Sequence, residues 1–254
     1  MQKEHLMAYY LFSPWLRIFH WIMVACITVL FFTGLLIIKP VAGGNPGIEP
    51  TFADIRLSVD LLRNIHFVAA YIFAASFIFR IYGFIVHSGD RLFPKLWKKE
   101  TLEQTIEVQK HYMFLLYSHS PYLRNPMART SYLMAYGLIA IEMITGFALY
   151  GMTNPNGWCA AIFSWLNVLV ANEFLLRLFH HYAAWFLVGF VIVHVYMVAR
   201  ADFMEGEGEV SSMFSGIKTL KHEPVDIADL LSKEEIARMR RLDGREPEGG
   251  EKNV

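Results

Sequence analysis

Histidine is the residue whose placement in this chain asks for chemistry. Of ten histidines, His20, His66, His180 and His194 fall inside long apolar runs, where an ionisable side chain is costly and marks a functional site. His180 and His194 lie 14 residues apart in one run, close to four helical turns, so they share a face and differ in depth by ~21 Å. One helix thus offers two imidazoles, one toward each side of a membrane. Imidazoles paired at matched depth suit the axial positions of haem iron. The two cysteines, Cys26 and Cys159, form neither CxxCH nor CxxC, which excludes covalent c-type attachment and a paired-cysteine zinc or iron–sulfur site.

The elements that must carry these histidines follow from composition. The 254 residues are 55% hydrophobic, 15% aromatic and 18% charged, with mean hydropathy +0.34, a balance that points to a membrane protein. Lys and Arg (23) cancel Asp and Glu (23), so no basic excess points to nucleic acid. Crossing a bilayer takes roughly 20 apolar residues, and four stretches reach that length, at about 15–38, 64–86, 130–151 and 175–199. Ser13-Pro14 opens the first and Lys39-Pro40 closes it, in the positions such residues favour at helix ends. This run is too long for a signal-peptide core and lacks a small-residue cleavage site, so it is expected to be retained. A fifth apolar stretch, 158–174, is interrupted by Asn167, Asn172 and Glu173 and is expected to lie along an interface. Thr101-x-x-Gln104 and Ser232-x-x-Glu235 read as capping boxes of surface helices reaching about Leu116 and Gly244. Residues 246–254, rich in glycine and charge, are expected to be disordered.

Orientation fixes which histidines can meet. The N-terminal arm, second loop and C-terminal tail together hold 19 Lys and Arg, and the other two loops hold four, so both termini are expected on the cytoplasmic side. The first span then runs outward from His20, and the second runs back from His66. The fourth also runs inward, from His180 to His194. Two bis-histidine pairs follow: His20 with His194 at the cytoplasmic level and His66 with His180 at the outer level. The expected fold is an all-α integral membrane protein, a four-transmembrane-helix bundle holding two haems b. Residues 1–205 form the cytochrome domain, and 206–254 a cytoplasmic charged tail with a short amphipathic helix.

The 14-residue interval recurs. Gly34 lies 14 residues after His20, at the outer level, where a missing side chain admits a porphyrin or a packing helix. Thr145-Gly146 repeats Thr33-Gly34 on the third span. Arg80, 14 residues after His66, reaches the cytoplasmic level, either to pair with haem propionates or to snorkel; Arg17 and Arg200 bracket that level. His181 faces away from His180 and reads as interfacial. Glu142, mid-span, has three open readings: a protonated packing residue, a partner for a buried cation, or part of a proton route.

Arg17-Ile18-Phe19-His20-Trp21, Thr33-Gly34, Ile65-His66-Phe67, Phe79-Arg80-Ile81-Tyr82, Thr145-Gly146-Phe147-Ala148-Leu149-Tyr150, and His180 leading to Val193-His194-Val195-Tyr196-Met197 resemble the b-type cytochrome subunit of membrane-bound nickel–iron hydrogenases. The likeness covers about residues 10–205; the tail after about Ser211 departs from it. The resemblance implies a dihaem anchor in the bacterial inner membrane. It takes electrons from the iron–sulfur small subunit, whose C-terminal membrane helix packs beside the bundle, and passes them to menaquinone or ubiquinone. The large nickel–iron subunit, not this chain, would activate hydrogen. The quinone needs a donor and a proton source near the cytoplasmic haem, and the resemblance favours His119 and Asn125 there, with His111 nearby. Asn-Pro at 125–126 also simply initiates turns. Two rivals remain: the cytochrome b anchor of a formate dehydrogenase or thiosulfate reductase, and a colourless proton-coupled transporter or channel.

Overall fold

The computed structural model describes residues 7–38, 59–86, 98–118 and 120–227. Four helices are long and apolar enough to cross a membrane: α1 (Pro14–Ile38), α2 (Val59–Val86), α4 (Pro126–Thr153) and α6 (Glu173–Glu205). They are joined by α3 (Lys99–Tyr112), α5 (Trp158–Val170), α7 (Glu209–Ser215) and two short strands, β1 (Met7–Tyr10) and β2 (Ile217–Leu220). Helical throughout its spans, the chain adds one element that periodicity did not announce, the two-stranded ribbon.

The helices outrun their apolar windows because their ends are capped by polar residues. Asn125 Oδ1 accepts from the backbone N–H groups of Met127 (2.9 Å) and Ala128 (3.3 Å), starting α4 at Pro126. Asn172 Oδ1 does the same for Leu175 (3.2 Å) at the head of α6. Gly206, with φ +67°, follows the last residue of α6, the conformation glycine takes at helix ends. α3 starts at Lys99 with Lys98 as N-cap and no side-chain capping bond, so Thr101 sits in its first turn instead of at the cap. It stops at Tyr112, two residues before Phe114 takes a positive φ of 63°. The fifth apolar stretch is helix α5, closed by Ala171 in the left-handed region (φ 51°). Lys39-Pro40 and the Ser232 capping box lie outside the described residues.

The described residues group into two compact units. One draws on 15–38, 59–86 and 135–193, the other on 7–14, 98–118, 120–134 and 194–227. In the first unit, neighbouring helices run antiparallel. Trp15 near the start of α1 meets Phe79 late in α2, while Thr33 late in α1 meets His66 early in α2. Phe67 of α2 touches Tyr150 of α4, and Thr145 of α4 meets His180 of α6. A core of Met23, Cys26, Phe73, Ile139 and Leu187 joins α1, α2, α4 and α6. Outward side chains such as Phe32, Val68, Ile72 and Phe186 are large, apolar and exposed, the pattern of helices solvated by lipid.

The other unit is polar and tightly bonded. β1 pairs antiparallel with β2, Met7 opposite Leu220 and Tyr10 opposite Ile217, over a core of Met7, Tyr9, Leu11, Leu123 and Leu220. Lys218, buried, donates to Tyr122 O (3.2 Å) and contacts Glu207 (3.2 Å) and Glu209 (2.6 Å). Burial opposes its charge, but the carboxylates of Glu209 and Glu207 outweigh that penalty and hold the ammonium above the ordinary lysine range. Asp226 accepts from the backbone N–H groups of Leu123 (2.7 Å) and Arg124 (2.9 Å), and Glu107 accepts from Ser120 N–H and the hydroxyls of Ser120 and Tyr122. These bonds satisfy backbone groups that a loop leaves open.

Candidate functional site

Within the first unit, α2 and α6 bring His66 and His180 together with ring centroids 6.5 Å apart and planes at 75°. Each ring is held from behind by a threonine of the neighbouring helix. Thr33 Oγ1 lies 2.9 Å from His66 Nδ1, and Thr145 Oγ1 lies 2.9 Å from His180 Nδ1. Each hydroxyl donates to the carbonyl four residues back, Thr33 to Val29 (2.7 Å) and Thr145 to Ile141 (2.6 Å). With its proton so engaged, each oxygen is left to accept, which makes Nδ1 the protonated nitrogen of both imidazoles. Nε2 then keeps its lone pair on both rings, the state a ligand needs.

The separation suits a shared iron. Two metal–nitrogen bonds of about 2 Å each, plus the reach from ring nitrogen to ring centre, would place two imidazoles on opposite sides of one metal ion roughly 6 Å apart. The residue after each threonine is glycine. A Cβ at Gly34 would sit 3.5 Å from His66 Cε1, an ordinary contact, and one at Gly146 only 3.1 Å from His180 Cε1, so it is Gly146 whose missing side chain lets α4 approach the imidazole it holds. A cavity of about 240 Å³ opens here, lined by His66, His180, Gly34, Gly146, Glu142 and Tyr150 among others. Arg63 and Arg177 also line it, cations placed where anionic groups of a bound cofactor could be met.

Glu142 belongs to this site. Its Oε2 is 3.0 Å from His180 Nδ1, and the buried Oε1 has no hydrogen-bond partner among the described residues. His180 is thus held by a hydroxyl and a carboxyl, whereas His66 has the hydroxyl and the neutral backbone carbonyl of Leu30.

The remaining candidates are distributed over both units. His20, on α1 in the first unit, stands edge-on to Trp21 at 5.2 Å. His194, on α6, falls in the other unit. Arg80 is buried, donates through Nε to Tyr136 OH (3.2 Å) and lies 5.9 Å from the Phe19 ring, next in sequence to His20. Arg17 is half-buried on α1. Arg200 stacks over Tyr112 (5.0 Å) and Phe114 (4.5 Å). His181 accepts from Trp185 Nε1 (3.1 Å) while also bordering the cavity. Asn125 caps α4, His111 Nδ1 lies 3.1 Å from Leu116 O, and His119 lies outside the described residues. Sequence reasoning passed over Thr33 and Thr145 as partners of the imidazoles, although the repeated Thr-Gly dipeptide was their signal.

Comparison with known proteins decides the family. The family model described as prokaryotic cytochrome b561 matches residues 11–216. This chain belongs to the prokaryotic cytochrome b561 family. Such cytochromes carry b-type haem and transfer electrons, and among the relatives of this cytochrome is a probable Ni/Fe-hydrogenase B-type cytochrome subunit of Cupriavidus necator, 34% identical over 220 residues, covering 84% of this chain and 88% of the relative. A Rhodobacter capsulatus protein of the same description is 29% identical over 223 residues, covering 85% and 84%. The probable Ni/Fe-hydrogenase 1 B-type cytochrome subunit of Escherichia coli is 29% identical over 231 residues, covering 87% and 94%.

Proposed function

We propose that this cytochrome is the dihaem membrane subunit of a nickel–iron hydrogenase, carrying electrons from a partner iron–sulfur subunit across the inner membrane to quinone. The observation that carries the reading is the mirrored Thr-Gly clasp around His66 and His180: two imidazoles at iron-spanning distance, each with Nδ1 turned to a hydroxyl that must accept. Bound haem supplies a one-electron carrier at that level. His66 and His180 would hold its iron, Thr33 and Thr145 would fix their tautomers, and Gly146 gives His180 the room it occupies.

The second pair, His20 with His194, rests on the depth argument from the sequence, with Arg80 and Arg17 as cations for propionates at the cytoplasmic level. The contact of Arg80 with Phe19 supports that depth. The termini and the 206–254 tail face the cytoplasm in this reading, following the 19-to-four division of cationic residues, and 1–205 is the haem-bearing domain. His119 and Asn125 border the quinone. Because Asn125 spends its Oδ1 on the α4 cap, its Nδ2 is the group left to face a quinone carbonyl. The relatives' descriptions favour a hydrogenase partner over a formate dehydrogenase or thiosulfate reductase.

The test is purification of the tagged chain from its native membrane in mild detergent. Expected are co-purifying nickel–iron and iron–sulfur subunits and low-spin b-haem absorbance that hydrogen reduces and added quinone reoxidises. A molybdopterin partner would transfer the chain to the rival oxidoreductases, and a colourless preparation would overturn the haem reading altogether.

A further inference from the structure

The two rings of the outer pair are chemically unequal. Thr33 and Thr145 hold them alike, at 2.9 Å, but the second acceptor differs: the neutral backbone carbonyl of Leu30 at His66 and a carboxyl oxygen of Glu142, 3.0 Å from Nδ1, at His180. With Nδ1 the donor, its single N–H is shared between the Thr145 hydroxyl oxygen and the Glu142 carboxyl oxygen. A carboxylate accepting from a ligand imidazole draws the Nδ1 proton toward itself and pushes electron density to Nε2, making that nitrogen a stronger donor. It also fixes a negative charge one ring away from the metal in an apolar surround, where charge is weakly screened.

A buried carboxylate in a membrane helix needs a compensating positive charge. No lysine or arginine is recorded in an ion pair with Glu142 among the described residues, and its contact of that kind is His180. Its second oxygen, Oε1, is buried without a hydrogen bond, on a residue that lines the cavity. Arg63 and Arg177 line the same cavity, Arg177 paired with Glu173; the positive charge in line with the Glu142–His180 contact would be that of an oxidised iron centre held by His180.

We infer that Glu142 is a positioning residue acting through His180: it makes His180 the electron-rich ligand of the pair and holds the reduction potential of the outer haem below that of a bis-imidazole site held by neutral acceptors alone. The inference rests on the proposed ligand role of His66 and His180. Reduction adds one electron at the iron, supplied by the partner's iron–sulfur donor, with no bond made or broken. The Glu142 charge opposes that electron and favours the oxidised state.

The experiment is a spectroelectrochemical titration of the complex in its native membrane at one pH, comparing wild type, Glu142→Gln, Glu142→Asp and His180→Ala. Glu142→Gln keeps an acceptor oxygen and removes the charge. It should favour reduction of one haem by about tenfold, about 59 mV for a one-electron couple, and leave the other haem where it was. Glu142→Asp keeps the charge and should stay within a few-fold of wild type. An unmoved potential in Glu142→Gln with both haems present overturns the inference, as does an equal upward shift in Glu142→Asp. Should Glu142→Gln fail to hold haem, Glu142→Asp decides: a wild-type-like potential supports the inference, and a raised potential or a missing haem overturns it. His180→Ala separates the two levels of argument. If it keeps both haems, the ligand assignment falls; if it loses one while Glu142→Gln shifts nothing, only the role of Glu142 falls.

Discussion

The clasp around the His66–His180 pair predicts that its two glycines differ in tolerance. In Gly146→Ala the new methyl would stand 3.1 Å from His180 Cε1, and in Gly34→Ala 3.5 Å from His66 Cε1. Carbon–carbon contact is favourable from about 3.5 Å, so Gly34→Ala makes an ordinary contact and Gly146→Ala demands a shift of a few tenths of an ångström. His180 resists that shift because Thr145 and Glu142 both tether its Nδ1, at 2.9 and 3.0 Å. Overpacking of this kind costs roughly 1–3 kcal/mol. Replacing a mid-helix glycine by alanine returns about 1 kcal/mol in either helix, so Gly34→Ala comes out neutral or stabilising and Gly146→Ala destabilising by about 0–2 kcal/mol. At roughly 2–4 °C per kcal/mol for a chain of this size, heat-induced loss of the low-spin haem absorbance should come a few degrees earlier in Gly146→Ala than in Gly34→Ala. The assay is a thermal ramp followed at the haem band, with the haem-to-polypeptide ratio measured beforehand. A Gly34→Ala protein that loses haem as early as Gly146→Ala, or earlier, refutes the reasoning.

Other outcomes follow from the same geometry. Thr33→Val keeps side-chain volume but takes the hydroxyl acceptor from His66 Nδ1 and leaves the Leu30 carbonyl; it should destabilise by about 0.5–1.5 kcal/mol, the net worth of one hydrogen bond, read as weakened haem retention, while Thr33→Ser should restore it. Asn125→Ala removes the α4 cap and should cost about 1 kcal/mol, measured as a lowered unfolding midpoint with both haems still present. Tyr122 donates to Glu107 (3.1 Å), and burial, with the Glu107 carboxylate adding to it, raises its phenol to about 12. Its contribution to stability is therefore full below the unfolded value of about 10 and lost as pH rises from there to about 12. Tyr122→Phe should flatten that part of the alkaline unfolding curve, and an unchanged curve would contradict the bond.

The spans, their alternation and the four intramembrane histidines were legible in the sequence because length, apolarity and the 14-residue interval are properties of single helices. The pairing of His66 with His180 could be reasoned from orientation, and the two rings do meet in one unit. What escaped belongs to contacts between helices. Thr33 and Thr145 become partners of the imidazoles only when α1 packs on α2 and α4 on α6, and Glu142 gains His180 as a neighbour only when α6 packs beside α4. The ribbon escaped for another reason: two four-residue strands separated by about two hundred residues carry no local period, and their register depends on Lys218 finding Glu207 and Glu209. Thr101 misled because a capping box describes a hydrogen bond, and α3 begins two residues earlier without one.

Reduced-minus-oxidised spectra of His66→Ala and His180→Ala, taken on the assembled complex, test the central claim most directly. The account predicts that both variants lack the same low-spin b haem and keep the other with its potential unchanged. Loss of different haems in the two variants, or retention of both haems in either, would contradict it.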